Sequence, residues 1–316
     1  MLAQRIPTIL PPLLPEESLE TTRVYSSRGL LEPGQPLMAV RPVRTPHHSS
    51  SAAALIGGGA IPQPGEVSLA HHGVLFLDEF PEFARATLEM IRQPLEDGYV
   101  TIPRVHSTLK FPARIMLVAA MNPCPCGYYT DPKRKCSCSP NHIERYLSRI
   151  SGPLIDRIDI HIEVPPVPWK QLRSTDDGTS SADMRKQVVA AREVQRRRFT
   201  QAARLFTNAN ANADGGSPGK GPGLSMAGAG TTNSGANGAT TTNATMTSRQ
   251  VRKFCRLDAA GETILKQAMT ELGLSARAHD KVLRIARTIA DLEGVADIAA
   301  HHLAEAIQYR RLDRKL

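Results

Sequence analysis

Gly73-Val-Leu-Phe-Leu-Asp-Glu-Phe80 is the stretch on which the reading of this fold depends. Val74 to Leu77 run without a polar interruption and end in adjacent carboxylates, Asp78 and Glu79. A continuous apolar run of that length suits a strand buried on both faces, as in a parallel sheet, better than a half-exposed strand with alternating residues. Such a strand delivers both carboxylates to the carboxyl edge of the sheet, where α/β folds bind ligands. The pattern is that of a Walker B segment. In it Asp78 would hold Mg²⁺ through its water shell, and Glu79 would polarise an attacking water. The competing reading is a strand that simply ends in a solvated acidic turn.

Working outward, Ala113-Arg-Ile-Met-Leu-Val-Ala-Ala-Met-Asn122 is a second continuous apolar run, which likewise suits a strand buried on both faces. Its terminal Asn122 stands where many P-loop ATPases carry sensor 1, a polar group that orients the hydrolytic water. Turns also favour Asn, so the order of the two strands carries the inference rather than the residue alone. Between them, Leu88, Ile91 and Leu95 have helical spacing within 84–97. Asp97-Gly98 and the stretch from Tyr99 to Phe111 predict a hairpin. Ile158-Asp-Ile-His-Ile-Glu-Val164 alternates and predicts a further strand, and 183–205 predicts a helix. Strands alternating with helices imply a three-layer α/β domain.

Composition marks the boundaries. Residues 207–247 are nearly all Gly, Ala, Asn, Thr, Ser and Pro, too poor in large apolar groups to offset the entropy of ordering. This predicts a linker between an α/β region over 1–206 and a helical domain over 248–316. In the latter, Asp258 and Ser275 are candidate N-caps. Ala278, Val282, Ile285, Ala286 and Ile289 share one apolar face, while Arg277, Lys281 and Arg284 share another. A last helix is expected over 299–311.

The 316 residues carry 39 Lys+Arg against 30 Asp+Glu, a formal charge of +9 that favours polyanionic partners. Arg185, Lys186, Arg192, Arg196, Arg197, Arg198 and Arg204 concentrate part of it, which a solvated helix face also explains. No apolar run reaches the ~20 residues of a membrane span, and the proline-broken N-terminus does not read as a signal peptide. Four of the five cysteines fall in one cluster, unlike a secreted disulfide framework, so the expected compartment is the cytoplasm.

Those four, Cys124-Pro-Cys126 and Cys136-Ser-Cys138, can supply four thiolates to one tetrahedral Zn²⁺. Reduced buried thiols and a redox-active pair are the alternatives, and the lone Cys255 reads as core. Arg157 precedes the alternating 158–164 segment. It would serve as an arginine finger inserted into a neighbouring subunit's site, or else as a surface arginine paired with Asp156 or Asp159. The pairs His47-His48, His71-His72 and His301-His302 lack the i, i+4 spacing of a helical metal site and read as structural. Neither Gly57-Gly58-Gly59 nor Gly219-Lys220-Gly221 matches G-x-x-x-x-G-K-[ST].

In this order the motifs resemble the ComM/YifB group of magnesium-chelatase-like AAA+ ATPases, relatives of the magnesium-chelatase ATPase subunit and more distantly of the MCM helicases. The resemblance covers 1–205 and 249–316. It rests on RPVRTPHHSSSAAALIGGGAIPQPGEVSLAHHGVLFLDEFPEF (41–83), LVAAMNPCPCGYY (117–129), YLSRISGPLIDRIDIHIEVP (146–165), LSARAHDKVLRIARTIADLEG (274–294) and HLAEAIQYR (302–310).

The resemblance implies a P-loop NTPase core followed by a helical lid, with ATP and Mg²⁺ as cofactors. It makes Asp78 and Glu79 Walker B, Asn122 sensor 1, Arg157 the finger and Arg277 the lid arginine called sensor 2. It implies hexameric rings acting as DNA branch-migration motors in natural transformation. The hairpin around Tyr99–Phe111, with Arg104 and Lys110, would then face DNA phosphates. In the family, MLAQRIPTILPPL directly follows the Walker A lysine and hydroxyl residue. The chain is therefore expected to lack the first strand and phosphate loop, and to bind ATP poorly by itself. The alternatives are an ATPase subunit of a metal-insertion chelatase, and a subunit that binds DNA or ring partners without hydrolysis.

Overall fold

Short helices and strands alternate through the first part of the chain. In order they are α1 (Ile6–Ile9), α2 (Pro15–Ser27), β1 (Val43–Arg44), α3 (Ala52–Ile56), β2 (Gly57–Gly58), β3 (Gln63–Pro64), α4 (Glu66–Leu69), β4 (Val74–Leu77), α5 (Arg85–Met90), α6 (Arg92–Asp97), β5 (Tyr99–Pro103), β6 (Thr108–Pro112), β7 (Met116–Ala119), α7 (Pro140–Leu147) and α8 (Gly152–Ile155). The computed structural model describes residues 3–103, 108–129, 131, 133–165, 167, 178–213 and 242–310, with backbone alone over 203–213. Two units separate, one of residues 1–188 with 308–316 and one of 189–307.

In the first unit β1, β4 and β7 form a parallel sheet in the order β1-β4-β7, with Val74 opposite both Val43 and Met116. All four residues of β4 are buried, as the unbroken apolar run predicts. Leu55, Val67, Phe80, Phe83, Ile91 and Leu154 complete a core with Leu75 and Leu77. Gly73 is required at the entry to β4, because a Cβ there would stand 2.0 Å from the Pro42 carbonyl oxygen. The chain is thus α/β with a parallel sheet, and the hairpin pairs β5 with β6 antiparallel, Thr101 opposite Lys110.

Three expectations need correction here. The strand β7 is not buried on both faces, since Met116 and Ala119 are exposed and, among the described residues, β7 pairs with β4 alone. The helix expected over 84–97 is broken into α5 and α6 at Ile91. Pro94 cannot donate to the carbonyl four residues back, and its ring excludes a continuous turn there. The strand expected over 158–164 does not form. Among the described residues β7 pairs only with β4, and this segment joins neither edge of the sheet. An extended segment with no neighbouring strand leaves its backbone groups to other partners, and the His161 N–H donates to the Tyr309 carbonyl at 2.9 Å.

The second unit is helical. Helix α9 (Ser181–Ala213) leads into it, followed by α10 (Ser248–Phe254), α11 (Ala259–Leu272), α12 (Ala276–Glu293) and α13 (Ala300–Gln308). Asp258 and Ser275 act as N-caps, accepting from the N–H groups of Gly261 at 2.7 Å and Ala278 at 3.2 Å. Ala278, Val282, Ile285 and Ala286 are buried, as their spacing predicts. The bounds expected for the linker, 207 and 247, both fall within described structure. Helix α9 runs through 213, because no Gly or Pro interrupts it before Gly215. At the other end Asn243 is buried beside Asp291. Residues 214–241, with Gly219-Lys220-Gly221, lie outside the described residues. No described helix is long and apolar enough to cross a membrane.

Candidate functional site

The ends of β4 and β7 are tied by backbone bonds that continue past the ladder. The Ala120 N–H donates to the Leu77 carbonyl, and the Phe80 N–H donates to the Ala120 carbonyl, both at 2.9 Å. This lock places exposed Asp78 and Glu79 at the carboxyl edge, beside the chain that leads to exposed Asn122. The Glu79 N–H donates to Asp78 Oδ1 at 3.0 Å. Glu79 itself has φ 51° and ψ 45°, the left-handed region. For a residue with a side chain that costs on the order of 1–3 kcal/mol and clusters at functional sites.

The Glu79 carboxylate meets a partner that the sequence reading did not assign. His48 Nδ1 lies 2.9 Å from Glu79 Oε2, with the imidazole edge-on to Phe83. His48 follows β1, the strand next to β4, so sheet order brings the two together across thirty residues of sequence. The approach of β1 is fixed by Arg44, whose Nε and Nη2 donate to Glu66 at 2.6 and 2.8 Å. That carboxylate is the first cause holding the Arg44 pKa above its ordinary value.

Arg157 follows α8 and is largely buried, with a side-chain exposure of 12%. It pairs with neither Asp156 nor Asp159. Its Nη2 donates to Glu96 on α6, and its Nη1 donates to the Pro153 carbonyl at 2.5 Å. Asp156 instead faces Arg310 at 3.5 Å. Lys110 is exposed on β6, with its ammonium 4.6 Å from the Tyr99 ring centroid. Arg104 lies outside the described residues. Arg277 is exposed in the first turn of α12, in the second unit.

The four clustered cysteines converge. Cys124 Sγ lies 3.3 Å from Cys126 Sγ and 3.7 Å from Cys136 Sγ, and Cys126 lies 3.5 Å from Cys136. All four sulfurs fall within 4.8 Å of one another, and none is in a disulfide. Four thiolates at about 2.3 Å around zinc would stand roughly 3.8 Å apart, so the donor set fits the ion. Backbone N–H groups of Tyr128 and Ser137 pull the Cys126 thiol down to about 5. At Cys136 the Cys138 N–H pulls the same way, but desolvation and the neighbouring sulfurs prevail and push that thiol up to about 12. The crowding that opposes a second thiolate is what a bound dication would relieve.

Two histidine pairs also gather around a carboxylate, Glu20 with His71 and His72, and Glu293 with His301 and His302. Ring tautomers argue against metal in both. His71 Nδ1 accepts from the Arg114 N–H at 3.0 Å, and His302 Nδ1 accepts from the Ala299 N–H at 2.8 Å. In each neutral ring the proton therefore sits on Nε2, which faces the carboxylate as a donor and has no lone pair for a metal.

Comparison with known proteins gives the family. The profile described as "Magnesium chelatase, subunit ChlI" matches residues 1–172, and "Magnesium chelatase, subunit ChlI C-terminal" matches 227–310. The "Competence protein ComM" of Haemophilus influenzae is 41% identical over 317 residues, covering 100% of this chain and 54% of that protein. The YifB proteins of Escherichia coli and Salmonella typhimurium are 40% and 39% identical over the same shares. The chain thus spans about half the length of the curated relatives it matches.

Proposed function

Because this chain belongs to the magnesium chelatase subunit ChlI family of AAA+ ATPases, we propose that it supplies the hydrolytic edge and helical lid of an ATP-driven ring motor acting on DNA. The observation that carries the reading is the pair Asp78 and Glu79, exposed at the end of a fully buried parallel strand that is tied by backbone bonds to Ala120, two residues before Asn122. ATP with Mg²⁺ supplies the phosphoanhydride and the charge that offsets its phosphates. Asp78 would hold the ion through its water shell, Glu79 would polarise the attacking water and Asn122 would orient it. Arg157 serves a neighbouring subunit's site, and Arg277 reads the terminal phosphate from the lid. The formal charge of +9 and the likeness to a protein named for competence favour DNA over the metal-insertion reading. Lys110, exposed on β6, is a candidate phosphate contact.

The test uses protein in which this chain follows a phosphate-binding loop. Glu79→Gln should keep nucleotide affinity and lower turnover by about 10²–10⁴-fold, the usual worth of a positioned general base. Nucleotide titration beside steady-state turnover separates the two quantities. Parallel loss of affinity would reject the role given to Glu79.

The same reading gives Cys124, Cys126, Cys136 and Cys138 one structural zinc, supported by the convergence of their sulfurs. Elemental analysis of purified protein should find about one zinc per chain, following the four-thiolate rule. Cys136→Ser should lower that content and the thermal midpoint together. Metal-free wild-type protein of the same stability would return the cluster to ordinary buried thiols.

A further inference from the structure

Glu96 belongs to no motif, yet it holds the residue on which communication between subunits would depend. Its carboxylate accepts from Arg157 Nη2, while Arg157 Nη1 bonds the Pro153 carbonyl. The third guanidinium nitrogen, Nε, is buried and has no acceptor among the described residues. The arginine is therefore held by its own chain, but incompletely. A buried donor left without a partner makes that state costly and open to exchange for a better anion.

Glu96 also stands at the root of the hairpin. It is the penultimate residue of α6, which ends at Gly98 in the left-handed conformation, with β5 beginning at Tyr99. The root is braced on both sides. Gln93 Nε2 donates to Thr101 Oγ1 at 3.0 Å, and Gln93 Oε1 accepts from the Thr101 N–H at 3.3 Å. The Ala113 N–H donates to the Gly98 carbonyl at 2.8 Å and closes the hairpin base. A shift of β5 thus carries α6 with it, and with α6 the carboxylate that Arg157 leans on.

We propose that Glu96 is a positioning residue that parks Arg157 on its own chain and ties its release to movement of the β5–β6 hairpin. The proposal rests on the reading of Arg157 as a finger acting on a neighbouring subunit. Parked, the guanidinium is withheld from the neighbour's phosphates. When DNA displaces the hairpin, the Glu96 contact loosens and the terminal phosphate across the interface becomes the stronger partner. One carboxylate thereby links the DNA-facing element to the adjacent ATP site.

The intact 316-residue chain gives a test that needs no turnover. Phenylglyoxal modifies accessible arginines, and peptide mass spectrometry measures each rate. Glu96→Gln should speed modification of Arg157 by roughly two- to fivefold, the scale of losing one partly exposed ion pair. Glu96→Asp should restore slow modification. Arg41, held by Glu17 in the same unit, should not change. An unchanged Arg157 rate, or an equal rise at Arg41, would overturn the parking.

Turnover then tests the coupling, in rings where this chain follows a phosphate-binding loop. Glu96→Gln should raise hydrolysis without DNA and flatten its stimulation by DNA, a gain that general structural damage would not produce. Stimulation equal to wild type would overturn the link to the hairpin. Arg157→Ala serves as the separate control: full turnover in that variant would remove the finger reading, whatever the labelling shows.

Discussion

Glu79 carries two features that only the structure displays: a left-handed backbone and a contact with His48. The sequence marks Glu79 through the run before it. His48, in an unpatterned loop, was legible only as one of three histidine pairs. Which carboxylate such a residue meets is decided by strand order, and a single sequence does not print strand order. His71 was read as structural, and its setting has a consequence for stability. Burial, with the nearby His72 next, holds its pKa down to about 4. A histidine kept neutral in the fold contributes stability that is complete above the unfolded value of about 6.5 and is lost as pH falls toward 4. In that window the unfolded chain binds the additional proton, so stability rises with pH, by roughly 3 kcal/mol across the window. Urea midpoints should therefore fall on acidification from pH 7 to pH 4.5, and His71→Gln should remove most of that slope. An unchanged slope in the variant would assign the acid sensitivity to other groups.

At the scale of elements, apolar patterning located β4 and the buried face of α12, because burial imposes its period on sequence. It failed where the decisive partner was polar or absent. Segment 158–164 has the alternation of a strand but joins no ladder among the described residues. In α12, Arg287 and Asp291 have the spacing of a solvated i, i+4 pair, yet both are buried. Asp291 takes Arg198 Nη1 at 2.8 Å, Arg287 Nε at 3.0 Å and Asn243 Nδ2 at 2.8 Å. Removing that carboxylate leaves two guanidinium groups without their counter-charge. Asp291→Ala should cost about 3–5 kcal/mol, the usual penalty for breaking a buried ion pair from one side. A loss below about 1 kcal/mol in urea unfolding would show that water reaches the cluster and screens it.

For the whole molecule, the order of acidic strand end, Asn122, cysteine cluster and Arg157 was legible because each lies in a long specific stretch. What that order does depends on a second subunit, which no property of one chain reveals. Arg157 shows why: its partner in this structure is Glu96, whereas the proposed function places its partner across an interface. The most direct measurement is therefore hydrolysis by mixed rings, in protein where this chain follows a phosphate-binding loop. Glu79→Gln and Arg157→Ala should each lose most turnover alone, arginine fingers being worth roughly 10³–10⁵ in rate. After subunit exchange, some interfaces pair an intact Glu79 with an intact Arg157 from the other variant, and partial hydrolysis should return. No recovery, with co-assembly demonstrated by mass or crosslinking, would contradict a finger that acts between subunits.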